Sequence, residues 1–452
     1  MAVEEKAEGK RSSRATKSLE DLALAGYGDR EGWHPEDLKM FRFLREVLNR
    51  IEIAYVGTYP PQECGIATFT KDVVTAVAKY TPFSDPAVVA VGGDIAIEQY
   101  PKSVKYHIEK HDLQSYLDVA DQINASTIDV VSVQHEYGIF GGPDGSHVLA
   151  FMDRLQKPIV TTLHTVLSDP SDGQRQVMNR VAELSDAVVV MIKAGRAILL
   201  NTYRARPEKV VVIPHGVPNV HRVSSVSVKK ALGISDRPVI STFGLISRGK
   251  GIEYGIKAMA TVVEENPDAI YLVLGETHPG VRNHEGESYR NELLQLVSDL
   301  HLEKNVRFNN RYLTLEELIN YLGATDVYLT PYINRDQITS GTLAYAIGCG
   351  KPVVSTPYLY AEEVLSEGRG ILVDFKDPEC TGLAINKILA DPALREQMET
   401  KAYKYGRRAA WFNVAIDYLD LFHKLCARCK LEIANAKPVD IKNIESREER
   451  DQ

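Results

Sequence analysis

Short runs of β-branched and apolar residues alternate along this chain with longer amphipathic stretches. IEIAYVG, DPAVVAVGG, IDVVSVQH, PIVTTLHT, DAVVVMI and VVVIPHGV follow one another between residues 51 and 217. Near-continuous apolar runs of this length read as strands buried on both faces, and helical stretches between them predict βαβ units on a parallel sheet. The pattern breaks at NVHRVSSVSVKKALGISDRP, which is polar and ends in Pro238. It restarts with PVISTFGL, AIYLVLGE, NVRFNN, TDVYLTPY, KPVVSTPY and GILVDF. The expected fold is therefore α/β, with two doubly wound Rossmann-like domains facing a cleft. Open α/β sheets bind ligands beyond the carboxyl ends of their strands, so both domains contribute loops to that cleft. The expected boundaries are 49–222 for the first domain, 223–237 for a linker and 238–405 for the second domain. A helix at 406–432 and a solvated tail at 433–452 complete the chain. Before the first strand, residues 1–48 read as a disordered tail and then a helix in HPEDLKMFRFLREVLNR, leaning on the first domain or on a second copy in a homo-oligomer.

Composition narrows the classes. Of 452 residues, 44% are apolar and 25% charged, and the net charge is −8. Scattered basic residues in an acidic chain exclude a nucleic-acid surface, which needs clustered Lys and Arg. No apolar run approaches the ~20 residues that span a bilayer, and the N-terminus has no apolar signal core. Reversible contact with a membrane surface stays open, and the chain reads as cytoplasmic. Five cysteines (Cys64, Cys349, Cys380, Cys426 and Cys429) are too few for a disulfide framework. The Cys426–Cys429 pair lacks the second pair that a zinc site needs, so no metal is expected.

Polar and Gly-rich loops follow several strands. GTYPPQECGIATF leaves the first strand and opens a helix near Thr68, with Cys64 and Gly65 at the turn. QHEYGIFGGPDGSH carries His135 and Glu136, and TTLHT places His164 at a strand tip. Arg248 and Lys250 lie in the Gly-flanked turn FGLISRGKGIE, and Glu276 and His278 in LGETHPG. The stretch DQITSGTLAYAIGCGKPVV runs a small-residue loop, Thr339-Ser340-Gly341-Thr342, into a helix. Such a helix start exposes unpaired N–H groups and the positive end of the helix dipole. Two cations nearby make an anion, a diphosphate above all, the natural occupant. Each feature also has a plainer reading, as a buried histidine, a solvated turn or an ordinary N-cap.

The second half resembles the family 4 retaining glycosyltransferases of GT-B fold. The similarity is carried by STFGLISRGKGIEYGIKAM, NVRFNNRYLTLEELINYLGATDVYLTPY, AIGCGKPVVSTP and GRGILVDFKDP, together with VVVIPHGV and the loop ending in Gly65. AWFNVAIDYLDLF is similar to the family's last helix, which crosses back onto the first domain. ECGIATFT and LGETHPG look most like its mannosyltransferase-like branch. The resemblance implies a nucleotide-sugar donor as co-substrate, a carbohydrate acceptor and no metal. It implies that Lys250, with Arg248, holds the donor diphosphate beside Gly65 and Thr339 to Thr342, and that His164 lies at the reacting sugar carbon. Glu276, His278, Tyr312, Asp336, Gln337 and Tyr345 would face the donor sugar and nucleoside. Cys64, Gly65, His135 and Glu136 would face the acceptor. Two departures stand out. Leu245 replaces the usual arginine, so Arg248 is expected to substitute for it. Gln337 and Tyr345 replace the Glu-x7-Glu pair, so a weakened ribose contact is expected.

The activity expected is transfer of a hexose, with mannose from GDP-mannose as the branch suggests, to a glycan or small acceptor. A glycoside phosphorylase using inorganic phosphate, or a sugar- or nucleotide-binding regulator with weak turnover, are the alternatives.

Overall fold

A computed structural model describes residues 51–435 except 82–84, 94, 222–224 and 236, with side chains described to residue 427. The expected N-terminal tail and helix, the final tail beyond 435 and part of the linker lie outside the described residues. From Ile51 onward the chain forms one compact unit.

The first sheet holds β1 (Ile53–Gly57), β2 (Ala87–Gly92), β3 (Val104–Glu109), β4 (Val130–His135), β5 (Ile159–Leu163), β6 (Ala187–Val190) and β7 (Val210–Val212). Their order is β3-β2-β1-β4-β5-β6-β7, and every pairing is parallel. The second sheet holds β8 (Val239–Phe243), β9 (Ile270–Leu274), β10 (Val306–Asn309), β11 (Val327–Thr330), β12 (Val353–Ser355) and β13 (Gly370–Leu372). It repeats the plan, in the order β10-β9-β8-β11-β12-β13. The central strands are buried along their whole length because helices cover both faces. The strand that the apolar pattern does not reveal is β3. It is an edge strand, and its sequence VKYHIE alternates instead of running apolar.

In each sheet the strand order reverses beside the first strand, between β1 and β4 and between β8 and β11. The loops leaving those strands open a crevice, and both crevices face the same cleft. The chain crosses between the domains twice, side by side. After β7, Val217 donates its N–H to Ala409 O at 2.8 Å, and Trp411 N returns to Val217 O at 3.0 Å. The helix Pro392–Arg408 ends there, and the helix Trp411–Asn435 runs back over the first domain. Val414, Ala415, Tyr418, Leu419 and Phe422 join Phe69, Val73 and Val77 in one core. The linker region carries a short helix, Ser225–Ala231.

The crossing is packed through glycine. A Cβ on Gly406 would lie 2.7 Å from Gly348 Cα, and one on Gly348 would lie 2.6 Å from Val217 Cβ. Arg407 ties the same point together, donating to Gly348 O at 2.6 Å and to Asn219 Oδ1 at 2.7 Å. Gly406→Ala must push two backbones apart, an overpacking that costs about 1–3 kcal/mol. Chemical denaturation should show a stability loss in that range.

Candidate active site

The site is assembled from strand ends. Leaving β1, the loop passes a cis Pro60–Pro61 bond and starts the helix Gly65–Ala78. The helix begins three residues before the expected Thr68, because the thiol of Cys64 accepts the N–H of Ala67 at 3.2 Å. No atom lies within 4 Å of a Cβ built on Gly65, so this end is open.

The second-domain wall is the start of the helix Gly341–Gly348. Ser340 Oγ caps it by accepting Leu343 N at 3.3 Å. That leaves the first amides among the N–H groups without internal partners. A chain of hydroxyls runs from it: Thr342 Oγ1 lies 3.2 Å from Ser340 Oγ and 2.6 Å from Tyr332 Oη. Lys250 Nζ ends the chain, donating to Tyr332 Oη at 2.7 Å above the ring face at 4.1 Å. Gly251 makes this approach possible. Its φ is +59°, and a Cβ would lie 2.1 Å from Pro331 O. His278 lies near the same cation. Its ring pKa is lowered, first by burial and then by the charge of Lys250. Its Nδ1 accepts Gly280 N at 3.0 Å.

From the first domain, three histidines face inward. His164 Nε2 lies 3.1 Å from Gln134 Oε1, and its ring meets Phe69 edge-on at 4.8 Å. Burial, helped by the neighbouring His215 and His135, pushes its pKa down to about 3. His215 sits on the other side of Phe69, with ring centroids 5.0 Å apart. His135 is wholly buried against Phe140, neither ring nitrogen has a hydrogen-bond partner among the described residues, and burial takes its pKa to about 4. Glu136 is held by the Thr165 hydroxyl and by Tyr137 N at 3.0 Å, and burial raises its pKa.

Not every expected residue arrives at the anion site. Arg248 turns outward. Its guanidinium donates to Glu285 Oε2 at 3.0 Å and Glu292 Oε1 at 2.7 Å, over the ring of Tyr289. It does not stand in for the arginine replaced by Leu245, because two carboxylates already engage it. Glu276 pairs with Arg282 at 3.0 Å, and its carboxyl beside Glu63 of the first domain raises the Glu63 pKa. Tyr312 Oη reaches Thr68 Oγ1 at 2.9 Å, and Asp336 Oδ1 accepts Ser168 Oγ at 3.0 Å. Gln337 Nε2 turns back to Thr339 O at 2.8 Å, and Thr339 Oγ1 donates to Met191 Sδ at 3.6 Å. Tyr345 is buried and donates its hydroxyl to Asp72 of the first domain. Several expected donor-side residues thus form hydrogen bonds to the first domain across the cleft.

Two residues that the sequence does not single out belong to this region: His215, inside the quoted VVVIPHGV, and Asp72. A histidine followed by glycine at a strand end was the available signal for the first. Nothing local marks Asp72.

Two family models divide the chain as the sheets do. The model for Glycosyltransferase Family 4 matches residues 72–219, and that for Glycosyl transferases group 1 matches residues 227–405. The chain belongs to the family 4 glycosyltransferases. Among family members, it is 27% identical over 266 residues to a D-inositol 3-phosphate glycosyltransferase of Corynebacterium urealyticum, covering 56% of this chain and 60% of that protein. It is 23% identical over 366 residues to a GDP-mannose-dependent monoacylated alpha-(1-6)-phosphatidylinositol monomannoside mannosyltransferase of Corynebacterium glutamicum, covering 77% and 91%. The chain therefore spans less than two thirds of the first relative. The fold is GT-B. A glycosyltransferase of Rickettsia africae superposes with a TM-score of 0.66 at 18% identity, covering 83% of this chain and 99% of that one. Anabaena HepE in complex with UDP and glucose superposes at 0.65 and 17% identity, covering 83% and 100%. No described helix is long and apolar enough to cross a membrane.

Lys250→Ala should weaken binding of a diphosphate or phosphate by about 1.5–3 kcal/mol, the worth of a hydrogen bond to a charged group, with little change in melting temperature. Calorimetric titration checks this, and unchanged affinity removes Lys250 from the site.

The depressed histidines set a pH dependence of stability. The unfolded rings titrate near 6.5, and the folded ones near 3 to 4. Their stabilisation is complete above pH 6.5. It shrinks as pH falls, because the unfolded chain takes up protons that the folded chain refuses, and is spent near pH 4. Each ring contributes a slope on the order of 1 kcal/mol per pH unit. His135→Phe should flatten the pH 6 to 5 decline in unfolding free energy by about that amount. An unchanged slope would show that His135 protonates freely in the fold.

Proposed function

We propose that this chain is a retaining glycosyltransferase that moves a hexose from a nucleotide sugar to a glycan or small acceptor. The observation that carries the reading is the helix start Ser340–Thr342, with Lys250 linked to it through Tyr332 and His164 nearby across Phe69 and His215. An anion seated there meets backbone N–H groups, a helix dipole and an ammonium, the kind of preorganised groups that stabilise developing negative charge. Mannose from GDP-mannose is the donor favoured by likeness to the corynebacterial mannosyltransferase. UDP bound in a neighbour of the same fold supports a nucleoside diphosphate more generally.

In this reading the sugar C1–phosphate oxygen bond breaks while the acceptor oxygen bonds C1 on the same face. The acceptor proton passes to the departing phosphate oxygen. Lys250 and the helix start hold the charge that develops on the diphosphate. His164, uncharged at neutral pH, orients the sugar and accepts or donates a single hydrogen bond. These residues already supply groups that stabilise the leaving anion.

A phosphorylase reading has one specific observation in its favour. Tyr345 is buried and spent on Asp72, so the helix Gly341–Gly348 offers no carboxylate to ribose hydroxyls. Inorganic phosphate needs none.

Thermal shifts with GDP, UDP, ADP and inorganic phosphate separate the two. A nucleoside diphosphate at 100 times its dissociation constant should add about 2.7 kcal/mol of stability. Stabilisation by phosphate alone would replace the transferase with the phosphorylase. In the transferase, His164→Ala should lower kcat strongly and leave diphosphate affinity near wild type. Wild-type kcat in this variant would make the histidine structural.

A further inference from the structure

His215 has one ring nitrogen committed and one free. Nδ1 lies 2.8 Å from Gly216 O, and a carbonyl only accepts, so Nδ1 carries the proton. Nε2 is then a bare lone pair, with no hydrogen-bond partner among the described residues. The side chain is only 6% exposed. Nε2 points at the start of the helix Gly341–Gly348: a Cβ built on Gly341 would lie 3.1 Å from it. That position carries glycine, so the ring packs close against the first residue of the helix.

A lone pair beside the N–H end of a helix repels an anion held by those amides. The same ring with a second proton attracts it. Arg248 is engaged by Glu285 and Glu292, so of the two cations expected at this site only Lys250 is linked to the helix start, through the hydroxyls of Tyr332 and Thr342. We propose that His215 Nε2 is a ligand of the anion at this helix start and takes up one proton from solvent as that anion binds. The proposal rests on the anion-binding reading of the site given above.

The surroundings allow it. His164 and Tyr345 are the titratable groups facing the ring, one from the end of β5 and one from the helix itself. Asp72 lies behind the Tyr345 hydroxyl, and Lys250 approaches through Tyr332 and Thr342. Phe69 and Trp411 cover the remaining sides without charge. Burial holds the ring neutral, with its pKa pushed down to about 4. A bound anion supplies the missing counter-charge, and the imidazolium then donates from Nε2 to an anion oxygen. His215 would thus be a second cation at the site, present only while the anion is there.

Sulfate is the probe, because it stays a dianion across pH 5 to 8 and any pH dependence then belongs to the protein. Wild-type affinity for sulfate should rise as pH falls, by up to about tenfold per pH unit. Titrations in buffers of different ionisation enthalpy should show uptake of about one proton at pH 7. His215→Asn keeps a donor for Gly216 O but has nothing at Nε2, and should lose both affinity and proton uptake. His215→Gln places a neutral amide at Nε2, and should keep part of the affinity while losing the pH dependence. Melting curves without anion show whether either variant is folded. Sulfate and GDP binding that depend on Lys250 but keep the same proton uptake in both variants would overturn the role of His215 and leave the anion site standing. No binding of sulfate, phosphate, GDP or UDP by the wild type would overturn both.

Discussion

The close approach of Gly348, Gly406 and Val217 is the constraint on which the cleft depends. Here the segment after β7 and the end of the helix Pro392–Arg408 lie side by side, joined by backbone hydrogen bonds at Val217. Neither glycine sits there for its flexibility; each is there because no side chain fits. Gly348 is also the last residue of the helix whose other end meets the ligand space. A displacement at the crossing therefore moves that helix as a rod, and shifts the amides of Gly341 and Thr342 relative to His215 and Phe69. Binding geometry in the cleft and stability at the crossing are two readouts of one packing contact.

Charge in the cleft is arranged by desolvation more than by pairing. Three histidines, two of them buried, are kept neutral by desolvation, and Lys250 is held by a phenol ring and its hydroxyl. A carboxylate partner would compete with an anionic ligand, whereas Tyr332 fixes the ammonium without neutralising it. The opposite choice is made outside. Arg248, about half exposed, is balanced by Glu285 and Glu292, and such surface pairs contribute little to stability. The helix start at Gly341 thus has nearby an ammonium that is uncompensated among the described residues, whereas the surface arginine is balanced by carboxylates.

The departures from the family pattern acquire a physical meaning in this arrangement. Gln337 folds back onto Thr339 and shapes the loop that precedes the helix. Tyr345 spans the cleft to Asp72, and Tyr312 does the same to Thr68. With Glu363, whose carboxylate accepts the amides of Lys193 and Ala194 at 3.0 and 3.1 Å, they hold the two domains together along both sides of the cleft. The positions that the family resemblance assigns to the donor side serve here as fastenings between the domains.

The two sheets, their parallel strands, the cleft and the polar loops around it were legible in the sequence, because strands buried on both faces must be apolar throughout and helix starts must offer small residues and free amides. Lys250, His164 and the run Thr339–Thr342 were legible for the same reason, since each stands at a strand end or a helix start. The edge strand β3 was not, because only Val104 and Ile108 of its six residues are buried and its alternating sequence VKYHIE lacks the continuous apolar run of the central strands. The direction of Arg248 was not legible either. Glu285 and Glu292 are 37 and 44 residues away, and only folding brings them to the guanidinium. His215 and Asp72 were hidden more deeply, since their neighbours Gly341 and Tyr345 come from the other domain. Local pattern reports what a residue does within its own element. Which groups meet across the cleft depends on how two separately legible domains dock, and that is decided by side chains far apart in the chain.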